Sequence, residues 1–229
     1  MNALENAASV AEVHREKEIG LTQLQEALQS RALQYDKSGE EHYNVISAFI
    51  KSMRGSDPDA ALYWMMRMLE AGEDPLFIAR RMVIFAAEDI GNADPQALLV
   101  AVAAKDAVHF VGLPEGRIPL AQAATYLASA PKSNASYKAM LAAVEDVQGR
   151  GALPVPLHLR NAPTKLMKDL GYGKDYKYAH DYDDHIVEQS HLPDPLRDRR
   201  YYFACDSGYE KEIGERLKLW QEKKLRRKR

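Results

Sequence analysis

The chain has 229 residues, 46% hydrophobic and 28% charged, with a formal net charge of −2. This supplies one large domain, or one and a half small ones, with a core that needs no staples, and the near balance of charge excludes a protein whose whole surface grips nucleic acid. The single cysteine, Cys205, excludes an internal disulfide and fits the reducing cytoplasm, and with no run of about 18 apolar residues and no leader-like N-terminus the sequence gives no sign of a membrane partner.

The first residues, Met1 to Ala8, are helix-forming without a cap before them. They predict either a short N-terminal helix or the back part of a longer protein cut inside a helix. A polar helix is predicted from Thr22 to about Gln34, with Thr22 and Gln25 at capping-box spacing. Three Asp-Pro pairs then punctuate the chain, Asp57-Pro58, Asp74-Pro75 and Asp94-Pro95. An aspartate accepts hydrogen bonds from the free N–H groups of a first turn, and proline in that turn has its φ preset and no N–H to satisfy. Each pair predicts a helix start. Gly72, Gly91 and Gly112 fall where those helices should stop.

Between the marks the apolar residues recur with helical spacing. The stripes are Tyr43, Ile46, Phe49, Ile50 and Met53; Ala61, Leu62, Met65, Met66 and Leu69; Ile78, Ala79, Met82, Val83, Ala86 and Ile90; Leu98, Leu99, Val102 and Phe110; Leu120, Ala123, Ala124 and Leu127; and Tyr137, Met140, Leu141, Val144 and Val147. Short links predict antiparallel neighbours, and alanine-rich faces allow close approach. From Gly149 the pattern breaks at Pro154, Pro156 and Pro163, with a brief helix from Thr164 to Leu170. Six of the twelve tyrosines lie between Tyr172 and Tyr202, a stretch with little periodicity that predicts an extended arm. Ser207 and Glu210 predict a capping box for a last helix stabilised by Ile213, Leu217 and Trp220. Lys223 to Arg229 is basic except at Leu225 and reads as a disordered tail. The fold class is therefore all-α, a multi-helix bundle with an extended tyrosine-rich arm and a C-terminal helix.

Few residues offer chemistry. Gly171-Tyr172-Gly173-Lys174 lacks the second glycine spacing, the Ser/Thr and the preceding strand of a phosphate loop, and Asp175 would repel phosphate. Glu88-Asp89 reads as an ion-paired or solvated acidic pair. His180, Asp181, Asp183, Asp184 and His185 match no metal-ligand spacing and read as a hydrated loop. Cys205 has no adjacent base and reads as a partly buried thiol, and Met65, Met66 and Met68 as core or interface. No catalytic, cofactor-binding or metal residue is assigned. The basic groups carry more weight: Lys51, Arg54, Arg80, Arg81, Lys132, Arg160, Lys165 and Lys168 stand near helix ends or in links, and gathered on one face they would neutralise phosphates as a DNA contact.

The run from Gly39 to Trp64, GEEHYNVISAFIKSMRGSDPDAALYW, resembles a signature of the RarA/MgsA family of AAA+ ATPases, replication-associated recombination proteins related to the Werner helicase-interacting protein. The similarity continues in order through Gly72-Glu73-Asp74-Pro75, Ala79-Arg80-Arg81, Glu88-Asp89-Ile90-Gly91, Ala130-Pro131-Lys132-Ser133-Asn134, Val155 to Ala162, Gly171 to Lys174 and Tyr178-Ala179-His180-Asp181. The resemblance implies that residues 1–36 are the tail of the ATPase lid. Residues 37–170 would be a helical oligomerisation domain similar to the clamp-loader collar, and 171–229 the arm, terminal helix and basic tail of the same C-terminal domain. Family members carry Walker A, Walker B, sensor residues and arginine finger in a front half that has no counterpart here, so ATP and Mg are implied for that missing core and no cofactor for this chain. The implied partners are other copies of the protein in a homotetramer, together with single-stranded or forked DNA and single-strand-binding protein. Apolar and methionine-rich helix faces would bury against those copies. The alternative is a stand-alone nucleic-acid-binding helical module.

Overall fold

The Asp-Pro device works as local chemistry dictates. The computed structural model describes residues 40–227, which fold into eight α-helices joined by short helical turns, with no strand among the described residues. These are α1 (Glu40–Arg54), α2 (Pro58–Glu70), α3 (Pro75–Phe85), α4 (Gln96–Val111), α5 (Arg117–Ser129), α6 (Ala135–Arg150), α7 (Lys165–Asp169) and α8 (Gly208–Arg227). Asp57 caps α2 by accepting from the Ala60 N–H at 2.9 Å, and Asp74 caps α3 by accepting from the Leu76 N–H at 2.9 Å, each with proline in the first turn. At the third pair Asp94 is extended, Pro95 is in a turn, and α4 begins at Gln96, one residue beyond the proline. Gly72, Gly91 and Gly112 all have positive φ, as helix stops should. Asp57→Ala is expected to cost about 1 kcal/mol of stability by removing that cap, read as a lowered urea midpoint with an unchanged m-value.

The described residues form two compact units. The first holds 40–87 and Gln96–Ala130. In it α1 packs on α2 and α5, α2 on α5, and α3 and α5 on α4. Its core holds Phe49, Met53, Met65, Met68, Ile78, Met82, Phe85, Leu120 and Leu127 without exposed surface to speak of, interleaved with alanines. Met65 and Met68 are therefore core, where the flexible thioether fills irregular gaps, and not partner-facing. His42 Nδ1 stands 3.0 Å from a carboxylate oxygen of the buried Glu73, tying α1 to the α2–α3 link.

The second unit joins the excursion Glu88–Pro95 to the chain from Pro131 onward. The excursion leaves α3 through a π-helical turn, Ala86–Ile90, and a single 3₁₀ turn, Gly91–Ala93. The Ser133 N–H donates to the Asp89 carbonyl at 2.8 Å, and Ser133 Oγ, one residue before the N-cap position of α6, accepts from the Ala135 N–H at 3.2 Å. The arm is extended with 3₁₀ turns, as expected, anchored through buried Ile186, Val187 and Leu196. Arg160 pins its start: the guanidinium lies 4.9 Å over the Tyr172 ring and donates to the Tyr172 hydroxyl and to the Val155 carbonyl. The basic C-terminal stretch is a correction. It continues α8 as helix through Arg227, because lysine and arginine are good helix formers and no glycine or proline follows Gly214 to end it. No helix among the described residues is long and apolar enough to cross a membrane.

Candidate functional site

Two helices present apolar stripes to solvent. On α4 the buried side is Ala97, Ala101, Ala104 and Val108, while Leu98, Leu99, Val102 and Val111 are exposed and Phe110 is 90% exposed. On α6 nothing is fully buried, and Tyr137, Met140, Leu141, Val144 and Val147, the last 67% exposed, form one continuous outward stripe at helical spacing. Scattered surface leucines are ordinary, but several large apolar side chains aligned on one helix face mark an interaction surface. One stripe belongs to the first unit and one to the second.

The second unit also contains a buried acid. Glu210, in the first turn of α8, has no exposed surface. Its carboxylate accepts from the Tyr202 hydroxyl at 2.5 Å and from the Cys205 thiol at 2.9 Å, and Ser133 bonds to it as well. Asn92 Nδ2 extends the network from the excursion, reaching Tyr202 Oη at 3.1 Å and Ser136 Oγ at 3.2 Å. Burial pushes the Glu210 pKa up, but the bonds from Cys205, Ser133 and Tyr202 outweigh it and hold the carboxyl below its ordinary value. Burial and the same carboxylate push Tyr202 up to about 12 and raise the Cys205 thiol. Cys205 is thus a half-buried hydrogen-bonded thiol, with none of the electropositive surroundings that activate a nucleophile. The predicted capping box at Ser207 gives way to this arrangement, because the Glu210 side chain is turned into the network. Gly208 makes the approach feasible: its φ is +51°, and a Cβ there would run into the Ala93 carbonyl oxygen.

The eight basic residues divide evenly between the units. Lys51 and Arg54 occupy the last turn of α1, and Arg80 and Arg81 lie along α3. Arg80 is 3.8 Å from Asp74 and lies over Phe77. In the second unit Lys165 and Lys168 are exposed on α7, Arg160 is engaged by Tyr172 and Val155, and burial lowers the pKa of Lys132 against the opposing charge of Asp89. The glycine turn at 171–174 folds back so that the Gly173 N–H bonds to the Leu157 carbonyl at 2.9 Å. In the His/Asp loop, the His180 and His185 rings sit 4.8 Å apart and Asp184 pairs with Lys223 at 2.8 Å. Among the described residues no three His, Cys, Asp or Glu side chains are placed to hold a metal ion.

A family model described as the MgsA AAA+ ATPase C terminal matches residues 55–221, and one described as an AAA C-terminal domain matches residues 1–54. The chain belongs to the MgsA AAA+ ATPase C-terminal family. It is 48% identical over 220 residues to the replication-associated recombination protein A of Escherichia coli K12, covering 95% of this chain and 49% of that relative. It is 53% identical over 188 residues to the protein of the same name from Coxiella burnetii, covering 82% and 43%. It is 47% identical over 200 residues to the ATPase WRNIP1 of Dictyostelium discoideum, covering 87% and 23%. The chain spans about half the length of the bacterial relatives and less of the eukaryotic one. These matches lie in the C-terminal region of an AAA+ ATPase family, in keeping with the all-helical fold.

Sequence reasoning missed the acid network entirely. Asn92, Ser133, Tyr202, Cys205 and Glu210 come from three separate segments, and no spacing in the sequence links those segments. The only local sign was an acid three residues after a serine, which reads more simply as a cap.

Proposed function

We propose that this chain is the assembly module of a replication-associated recombination ATPase, holding copies of the whole protein together as a homotetramer. The observation that carries the reading is the pair of outward apolar stripes on α4 and α6, one on each unit. Surfaces of this kind bury against protein, and a closed symmetric assembly uses the same patches on every copy. Two self-complementary patches per chain are what a dimer of dimers requires, each joining copies about its own two-fold axis. On this reading the chain supplies no catalytic group. ATP and Mg bind in the portion of the relatives that this chain does not span, and assembly sets the geometry between those ATPase lobes in the cytoplasm, at DNA under replication or recombination. Forked or single-stranded DNA and single-strand-binding protein are then partners of the whole protein. The purified chain, 25.8 kDa as a single copy, is expected to elute without nucleotide at four times that mass by light scattering. A strictly monomeric mass at tens of micromolar would remove the proposal.

A further inference from the structure

We propose that one face of α8 binds single-stranded nucleic acid, stacking unpaired bases on Trp220 and Tyr209 and neutralising phosphates with Arg216, Lys223 and Lys224. The assembly reading uses neither α8 nor the basic end of the chain, yet six of the seven residues from Lys223 to Arg229 are basic. The helix brings Lys223 and Lys224 of that stretch into register with aromatic rings. Residues 209, 216, 220 and 223 are spaced to fall on one side of an α-helix, with 224 on its flank. Trp220 stands in the middle of this stripe, 41% exposed, one turn after Arg216 and one turn before Lys223 and Lys224. Tyr209 is also exposed, and its hydroxyl accepts from Arg216 Nη2 at 3.3 Å, which holds the guanidinium along the stripe.

Of the four acids of α8, only Glu212 stands at the edge of this face. Glu210 is buried in its network, and Glu215 and Glu222 fall on another side by spacing; Glu212 borders Arg216. Three further acids face the basic end from the arm. Asp184 pairs with Lys223 at 2.8 Å, and Glu188 and Asp198 share with Lys224, Arg197 and His191 a polar cleft of about 510 Å³ beside the helix. Binding therefore exchanges one internal pair for a phosphate contact and leaves Lys224 and Arg216 as the stronger contributors.

An exposed ring with cations a turn away on both sides is the pattern that holds single strands, since any unpaired base can stack while the backbone tracks the charge. A duplex offers the charge half of this pattern but keeps its bases stacked inside. The exposed apolar residues of α8 argue against a lipid surface. Leu219, Trp220 and Leu225 point to different sides by spacing, whereas a helix lying in a membrane needs them on one. From Tyr209 to Lys224 the stripe runs about 22 Å.

The test is a titration of a fluorescein-labelled oligothymidylate into the full chain at about 50 mM and about 200 mM salt. Binding is read by anisotropy and, in a Trp64→Phe background, by quenching of Trp220. Binding that weakens with salt and quenches Trp220 is expected. Trp220→Ala is expected to weaken it about tenfold, Trp220→Phe to restore most of the loss, and Arg216→Glu with Lys224→Glu to abolish it. Thermal melting by circular dichroism and the mass by light scattering should not move in any of these variants, which separates this proposal from the assembly reading. No binding at low salt would overturn it. So would equal affinity for duplex with no effect of Trp220→Ala, or binding to vesicles of anionic phospholipid without binding to the oligonucleotide.

Discussion

Glu210→Ala is expected to lower the stability of the second unit by about 3–5 kcal/mol, the range for removing one partner from a buried charged arrangement. The Tyr202 hydroxyl, the Cys205 thiol and Ser133 all lose the acceptor they share, and a buried donor left without a partner costs about 1–3 kcal/mol. The apolar core of the unit is small. Its buried apolar residues among those described are Ile90, Ala93, Ile186, Val187 and Leu196, and α6 contributes none. The network also fastens the excursion Glu88–Pro95 through Asn92. At about 2–4 °C per kcal/mol for a chain of this size, the melting temperature should fall by roughly 10 °C. A fall of less than about 2 °C would show that the network contributes little.

The same group sets an acid limb. The folded-state pKa of Glu210 is depressed, so its stabilisation is fully present above the ordinary carboxylate range, about 4.3, and is lost as pH falls through the folded value. Glu210→Gln keeps the shape but turns an amide N–H₂ toward groups that donate, so it should be destabilised at neutral pH and lose stability less steeply than the parent on acidification. Identical acid limbs in the two proteins would assign the acid sensitivity to other carboxylates.

What the sequence allowed one to read follows from how local each signal is. The caps at Asp57 and Asp74 and the glycine stops are set within four residues, and they appear where expected. The faces of α4 were harder. Leu98, Leu99, Val102 and Phe110 make a periodic stripe, but so do Ala97, Ala101, Ala104 and Val108, and periodicity alone does not choose between them. The small residues face inward because α4 packs between α3 and α5, where alanine lets the helices approach closely. Hydropathy favours the larger side chains and so points to the outer face. The basic end differs from its expectation for a related reason: charge signals solvation, which is not disorder, and lysine and arginine sustain a helix. Asn92 and Glu210 are 118 positions apart, and their joint attachment to Tyr202 has no trace in a single sequence.

The exposed stripes of α4 and α6 lead to the second large effect. Phe110→Glu with Leu99→Glu on α4 is expected to reduce the assembly to dimers, and Val144→Glu with Val147→Glu on α6 to do the same through the other face. Combining all four should leave a 25.8 kDa monomer. Full burial of one large apolar side chain is worth about 1.5–3 kcal/mol, and a charge in its place adds the cost of desolvation. In a two-fold interface each substitution occurs twice, so a single face loses upwards of about 6 kcal/mol, a weakening of more than ten-thousandfold. The positions are solvent-facing in the single chain, so thermal melting of the dissociated protein need not suffer beyond the loss of assembly itself. Two intermediate dimers, one from each pair of substitutions, distinguish two independent faces from one composite surface, because a single shared interface would pass straight to monomer in either variant. If the quadruple variant retained the parent mass, neither stripe would hold the copies together.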